Sequence, residues 1–176
     1  EEAYALMPPE RRGSGDVFDS FDGSVIPARS WKPISVRAVR DGSGGDQPAD
    51  FSLVWTEPAL SRRAAETLRS ILLPHAQLLP LTTDIGEYFA LNVTTVIDAL
   101  DEQSSALQRF ASGRVMHVRD WVFRPDALGD VPIFKIPQLP RAFVFLNTAL
   151  LGAIQTAGLS GLDPQLIWQM MRRPAL

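Results

Sequence analysis

Three carboxylates, Asp98, Asp101 and Glu102, lie close enough in the sequence to be weighed as a divalent-cation site or as an acid and base pair. On an extended chain, residues three apart point to opposite faces, so Asp98 and Asp101 converge only if the backbone turns between them. The competing reading is a solvated strand end, in which Asp98 accepts from backbone amides and residues 101–105 shape a turn. That reading is favoured, because the spacing of a calcium-binding loop is absent. Nucleophilic catalysis by a serine needs a neighbouring base, and the only two histidines stand outside any motif, His75 beside a proline and His117 within an expected strand. Gly13-Ser14-Gly15 lacks the strand-to-helix setting of a nucleophile elbow. The Gly-rich run at 41–50 carries Asp46, Pro48 and Asp50 in place of the lysine a phosphate-binding loop requires. No catalytic residue, cofactor or metal ligand is expected.

The element that must position these carboxylates is the stretch 87–101, EYFALNVTTVIDALD. Its aromatic and β-branched residues from Tyr88 to Ile97 favour a strand, or a bulged strand pair, central in the sheet. Alternation fails at Asn92 and at the adjacent Val96 and Ile97, which predicts a bulge within 92–95. Ahead of it come a short strand at 3–7 and irregular chain at 8–30, whose Phe18 and Phe21 are expected to fold back onto the core. A strand follows with Ile34, Val36 and Ala38 on one face, and then a short apolar piece at 51–55. Ser61 is placed to cap a helix over 62–73, with Ala64, Ala65, Leu68, Ile71 and Leu72 as its buried stripe and Pro74 as its end. Residues 78–81 contain Pro80 and read as an edge or connector.

Beyond the carboxylates, 106–110 and 114–123 form an antiparallel pair turning at Gly113, with the buried face of the second strand left open. Short strands are expected at 133–136 and 142–146. Asn147 caps a helix over 148–157 that ends at Gly158, and 166–168 adds an edge strand. The fold class is α+β, a single domain with a largely antiparallel sheet and two main helices. Residues 1–28 are its irregular N-terminal segment, and 29–176 its body.

A chain of 176 residues with 45% hydrophobic content is long enough to bury one substantial core. Cysteine is absent, which excludes a disulfide framework and thiolate metal sites. The net charge of −3 demands neither nucleic acid nor an acidic substrate. No apolar run reaches the ~18 residues of a membrane helix, so a soluble protein is expected. The start at Glu1 leaves open a leader removed earlier.

The succession SRRAAETL, EYFALNVTTVIDALD, GRVMHVRDWVF, PIFKIPQLPRAFVFL and AIQTAGLSGL resembles a family of bacterial immunity proteins associated with polymorphic toxin systems, over about 30–168. Its most specific pieces are the LNV...DALD block, the F-K-x-P block and the helix followed by AGLSGL. The departure is Asp163-Pro164 before Gln-Leu-Ile-Trp, where an aromatic closing strand is expected. The resemblance implies a cytoplasmic, non-enzymatic protein that binds a cognate toxin, with no catalytic residues to carry over. An accessory adaptor for a secreted effector is the alternative, and a small carboxylate-dependent enzyme ranks third.

Charge placement adds a site to that expectation. No Lys or Arg occurs between Arg69 and Arg109, whereas Asp84, Glu87, Asp98, Asp101 and Glu102 supply negative charge. Gathered at one end of the sheet, these carboxylates would steer and seat a basic toxin surface. Toxin-interface candidates are Asp98, Asp101, Glu102 and Glu87, with Trp31 and Trp121 as aromatic anchors beside charged residues. Nucleic acid is not an expected partner, because the arginines of the last third are scattered singly without a binding-module motif. Oligomeric state is left open.

Overall fold

The computed structural model describes residues 5–7, 17–39 and 48–169. Gly13-Ser14-Gly15, most of the Gly-rich run and residues 3 and 4 of the first expected strand lie outside the described residues.

Six strands form the main sheet: β1 (Ala5–Met7), β2 (Ile34–Val39), β3 (Phe51–Val54), β4 (Glu57–Ser61), β5 (Ala76–Thr83) and β6 (Tyr88–Val93). Five run in the order β2-β5-β6-β4-β3, and the sheet curls until β1, antiparallel to β2 and parallel to β3, closes it. The β2–β5 pair is also parallel, and the other neighbours are antiparallel. Inside the curl, Leu6, Val36, Val54, Leu79, Leu81 and Ala90 pack with Phe18, Phe21 and Trp31, so both expected aromatics do return to the core. Outside it, Leu60, Leu91 and Val93 pack under helices.

The expected bulge lies just past β6, where the amides of Thr94 (2.8 Å) and Thr95 (3.1 Å) both donate to the His75 carbonyl, two residues against one. β6 keeps continuous register with β5 from Tyr88 to Val93, and it fails to alternate because both of its faces are buried. Asn92, which breaks the apolar pattern, points inward and donates to the Ser24 carbonyl (2.9 Å) and the Gln77 side-chain oxygen (3.0 Å). Pro80 proves to lie within β5, an interior strand, where an edge or connector was expected. Its carbonyl accepts from the Trp31 indole at 2.9 Å, so the same side of the residue, where an N–H would project, faces away from β6. Pairing with β2 begins only at Leu81, and no ladder bond is lost. The unexpected β4 follows the same rule, since Pro58 pairs with β3 and contact with β6 begins at Ala59.

Among the described residues, four α-helices stand where two were expected. The capped helix after Ser61, whose hydroxyl accepts from the Ala64 amide, divides at Leu68 into α1 (Arg62–Thr67) and α2 (Arg69–Leu72). A single turn, α3 (Pro125–Leu128), starts on a proline whose missing N–H has no partner to lose there. α4 (Thr148–Thr156) is capped by Asn147 as expected and stops before Gly158, which has positive φ. None of these helices is long and apolar enough to cross a membrane.

A second body of packing lies beyond β6. Strands β7 (Ala106–Arg109) and β8 (Val115–Asp120) pair about Gly113, and β9 (Ile133–Phe134) pairs with β10 (Phe145–Leu146). Register shifts in the first pair put Val115 and Val118, three apart, on the buried side, so neither alternating set of β8 is the core face. The expected strand at 166–168 is unpaired chain with Leu166 exposed; Trp168 instead sets its ring edge-on to Phe123 at 5.7 Å.

One buried carboxylate ties the curled sheet to the C-terminal chain. Asp50, 7% exposed, accepts from the Ser61 hydroxyl (2.7 Å), the Arg63 guanidinium (2.7 Å) and the Ser160 amide (3.1 Å). Arg63 continues to the Ala157 carbonyl at 2.8 Å, and Phe51 donates to the Ser160 carbonyl at 2.9 Å. Gly161 completes the junction, because a β-carbon there would lie 2.3 Å from the Phe51 oxygen. Asp50→Ala should lower stability by about 2–3 kcal/mol, since it leaves the part-buried Ser61 hydroxyl and Ser160 amide and the Arg63 guanidinium without their acceptor. Urea unfolding checks this, with a lower midpoint at unchanged slope as the expected outcome. Nearby, burial and then Asp50 push the Tyr88 phenol up to about 12. Folding stability should therefore be held below pH about 10 and fall as Tyr88 ionises towards pH about 12, a loss absent from Tyr88→Phe.

Candidate functional site

Past Val93 the chain leaves the sheet and is gripped from both sides. Lys135 donates its amide to the Thr95 carbonyl and accepts from the Ile97 amide, both at 2.9 Å. Asp101 donates its amide to Val122, and Arg124 donates its amide to Ala99, each at 2.8 Å. These bonds fix residues 95–101 between β9 and the chain after β8, and so fix where the acidic side chains emerge.

Two of the three carboxylates meet across one amide. Gln138 donates from Nε2 to Asp98 at 2.8 Å and to Glu102 at 2.9 Å. Each carboxylate also has an arginine: Arg109 stands 2.5 Å from Glu102 and Arg124 3.5 Å from Asp98, whose backbone carbonyl Arg124 also engages. Asp101 turns back to accept from the amides of Gln103 and Ser104 at 3.1 Å, which is the turn-shaping role expected of it. Asp98 departs from expectation, binding side chains where backbone amides were foreseen. Arg109, with help from Gln138, holds the Glu102 carboxyl below the usual range against desolvation and the like charge of Asp98. Ser104 does the same for Asp101. Among the described residues no cluster of His and carboxylate side chains is arranged to hold a metal ion.

Of the remaining candidates, Glu87 and Trp31 lie apart from this group, and Trp121 adjoins it through Val122. Glu87 precedes β6, at the opposite end from Asp98, and pairs with Arg62 at 2.7 Å. Trp31 is 9% exposed, with its ring tilted against Phe21 and its indole bound to Pro80, so the core occupies it. Trp121 is half-buried, stacked on Phe123 at 5.8 Å and edge-on to Phe143 at 5.5 Å. His75 contacts the Thr95 hydroxyl at 3.1 Å, and His117 is exposed on β8. Sequence reasoning missed Gln138, the amide that joins Asp98 to Glu102, and Phe143, which is 41% exposed beside Trp121. Nothing in the spacing of Gln138 pointed to carboxylates 36 and 40 residues away. Phe143 was counted as a strand residue, where exposure is invisible.

Most of the motif residues serve the architecture. Asn92 of the LNV block ties residues 24–26 to β6, while Lys135 of the F-K-x-P block is buried and donates to the Phe21 carbonyl. AGLSGL is the Asp50 junction. Residues 82–168 match the model of the immunity protein family Imm11, in accord with the resemblance read from the sequence. That span runs from within β5 to Trp168 and contains the acidic pair and the aromatic cluster, whereas Asp50 and Arg63 lie outside it. No curated protein matches the chain.

The Arg109 contact makes a measurable demand on Glu102. A carboxyl depressed in the folded state stabilises the fold at neutral pH, and that contribution is lost as pH falls through the folded value, below the ordinary glutamate range. Carbon-detected NMR titration should find Glu102 below its usual pKa, and Arg109→Ala should return it towards 4.5.

Proposed function

We propose that the protein is an immunity protein that binds a cognate bacterial toxin and neutralises it by surface fit, making and breaking no covalent bond itself. The observation that carries this reading is the immunity-family match over 82–168. The chemistry of the acidic group supports it. Asp98 and Glu102 share one amide and each faces an arginine, so fixed partners within the protein already engage both carboxylates.

The proposed binding face is the ridge where 98–102 runs beside 121–124, with Trp121 as its aromatic anchor. Arg109 and Arg124 offset part of the negative charge, so steering of a basic toxin is weaker than five uncompensated carboxylates would give. Asp101 and the distant Glu87 contribute to the long-range field and not to direct seating. Trp31, enclosed by the core, is left out of the face.

Cells producing the toxin encoded beside this protein should recover growth when it is co-expressed, and purified protein should bind that toxin. Continued arrest together with no binding removes the reading. Asp98→Lys with Glu102→Lys should slow association several-fold at low ionic strength, with the difference shrinking as salt rises. A salt-independent, unchanged rate removes the steering role alone.

A further inference from the structure

A crevice of about 170 Å³ opens between the β3–β4 turn and the chain leading into β10, lined by Glu57, Pro58, Lys135, Arg141, Phe143 and Val144 among others. At about 30 Å³ per water it corresponds to roughly six water volumes, the scale of one side chain. Two of its walls are ionisable groups almost fully enclosed, Glu57 at 3% and Lys135 at 1% exposure. The Lys135 ammonium is fixed by the Phe21 carbonyl and faces the charges of Glu57 and Asp22, so it forms a rigid floor.

The mouth is different. Arg141 is 59% exposed, and its carboxylate neighbour Asp22 stands 3.8 Å away, beyond hydrogen-bond reach. Asp22 itself accepts from the Ser24 amide at 3.1 Å. A guanidinium carries five donors in a fork that matches a carboxylate, and the Asp22 contact uses none of them in a hydrogen bond. Beside it Phe143 is 41% exposed and touches Trp121, which continues the apolar surface towards the proposed binding face. An exposed arginine and an exposed aromatic at the edge of a small pocket, with Trp121 behind them, are the residue types in which binding energy concentrates at protein interfaces.

We infer that this crevice is an anchor socket for the protein partner, receiving an aspartate or glutamate side chain whose carboxylate pairs with Arg141 while its stem packs on Phe143. Open donors decide the sign of the occupant: Glu57 and Lys135 offset one another within the crevice, whereas the exposed Arg141 guanidinium stands beyond hydrogen-bond reach of Asp22 and keeps its fork of donors for a carboxylate. A basic side chain would meet that guanidinium first. The socket rests on the immunity reading for the identity of the partner, not for its chemistry.

Two measurements separate these. Isotope-labelled full-length protein is titrated with N-acetylglutamate amide and, in parallel, with N-acetyllysine amide. The glutamate probe alone should shift amides of residues 56, 57, 135 and 141–144, and Arg141→Gln should abolish the response. No response there, or an equal response to the lysine probe, overturns the socket. Against the adjacently encoded toxin, Arg141→Glu and Phe143→Ala should each weaken binding at least about tenfold, while Arg119→Glu on β8 leaves it unchanged. If thermal melting shows either variant misfolded, Arg141→Gln or Phe143→Leu replaces it. Unaltered affinity in folded variants overturns the socket and leaves the immunity role standing. A wild-type protein that binds no toxin overturns the immunity role, and the probe titration then decides the socket by itself.

Discussion

The structure depends on the carboxylate of Asp50 being held inside the protein. It sits just ahead of β3, beside the cap of α1, and receives donors from Ser61, Arg63 and Ser160. Burial makes an ionised carboxylate costly unless it is fully bonded, so each donor must arrive together with the others. The end of β4, the start of α1 and residues 157–161 thereby meet at one carboxylate. With the chain after α4 pinned there, α4 lies over the outer face of β6, and β6 is covered on both sides.

From that covered strand the rest of the protein is hung. Asn92 and Gln77 bind residues 24–26 on the inner side, and Lys135 reaches Phe21 while its backbone grips 95–97. Buried polar groups with several partners fix one arrangement where apolar packing alone would tolerate several. The consequence for function is a division of labour. Residues of the motifs hold the frame, and around them Asp98, Glu102, Arg141 and Phe143 are exposed while Trp121 is half-buried.

Much of this was legible in the sequence, and what was not has physical causes. Caps and turns read correctly because Ser61, Asn147 and Gly113 act within three or four residues of themselves. The prolines misled, since Pro80 and Pro58 are tolerated by where a second neighbouring strand begins, which is a tertiary fact. The broken alternation of 87–101 has two sources, burial of β6 on both faces and the paired amides of Thr94 and Thr95 on His75 just after it, and only the second is a bulge. The acidic group was half legible. Asp101 shapes a local turn that its neighbours announce, whereas Asp98 and Glu102 depend on Gln138, Arg109 and Arg124 arriving from elsewhere. Exposure was the least legible property of all, as Trp31, enclosed, and Trp121, part exposed, have similar charged surroundings in sequence.

The central claim is that the protein acts by occupying a surface. Titration of the toxin's activity with purified protein measures this most directly. Activity should fall in proportion to added protein and reach its floor at a fixed stoichiometric ratio, with the toxin recovered chemically unchanged after dissociation. Inactivation by substoichiometric protein, or a toxin left covalently altered, would contradict it.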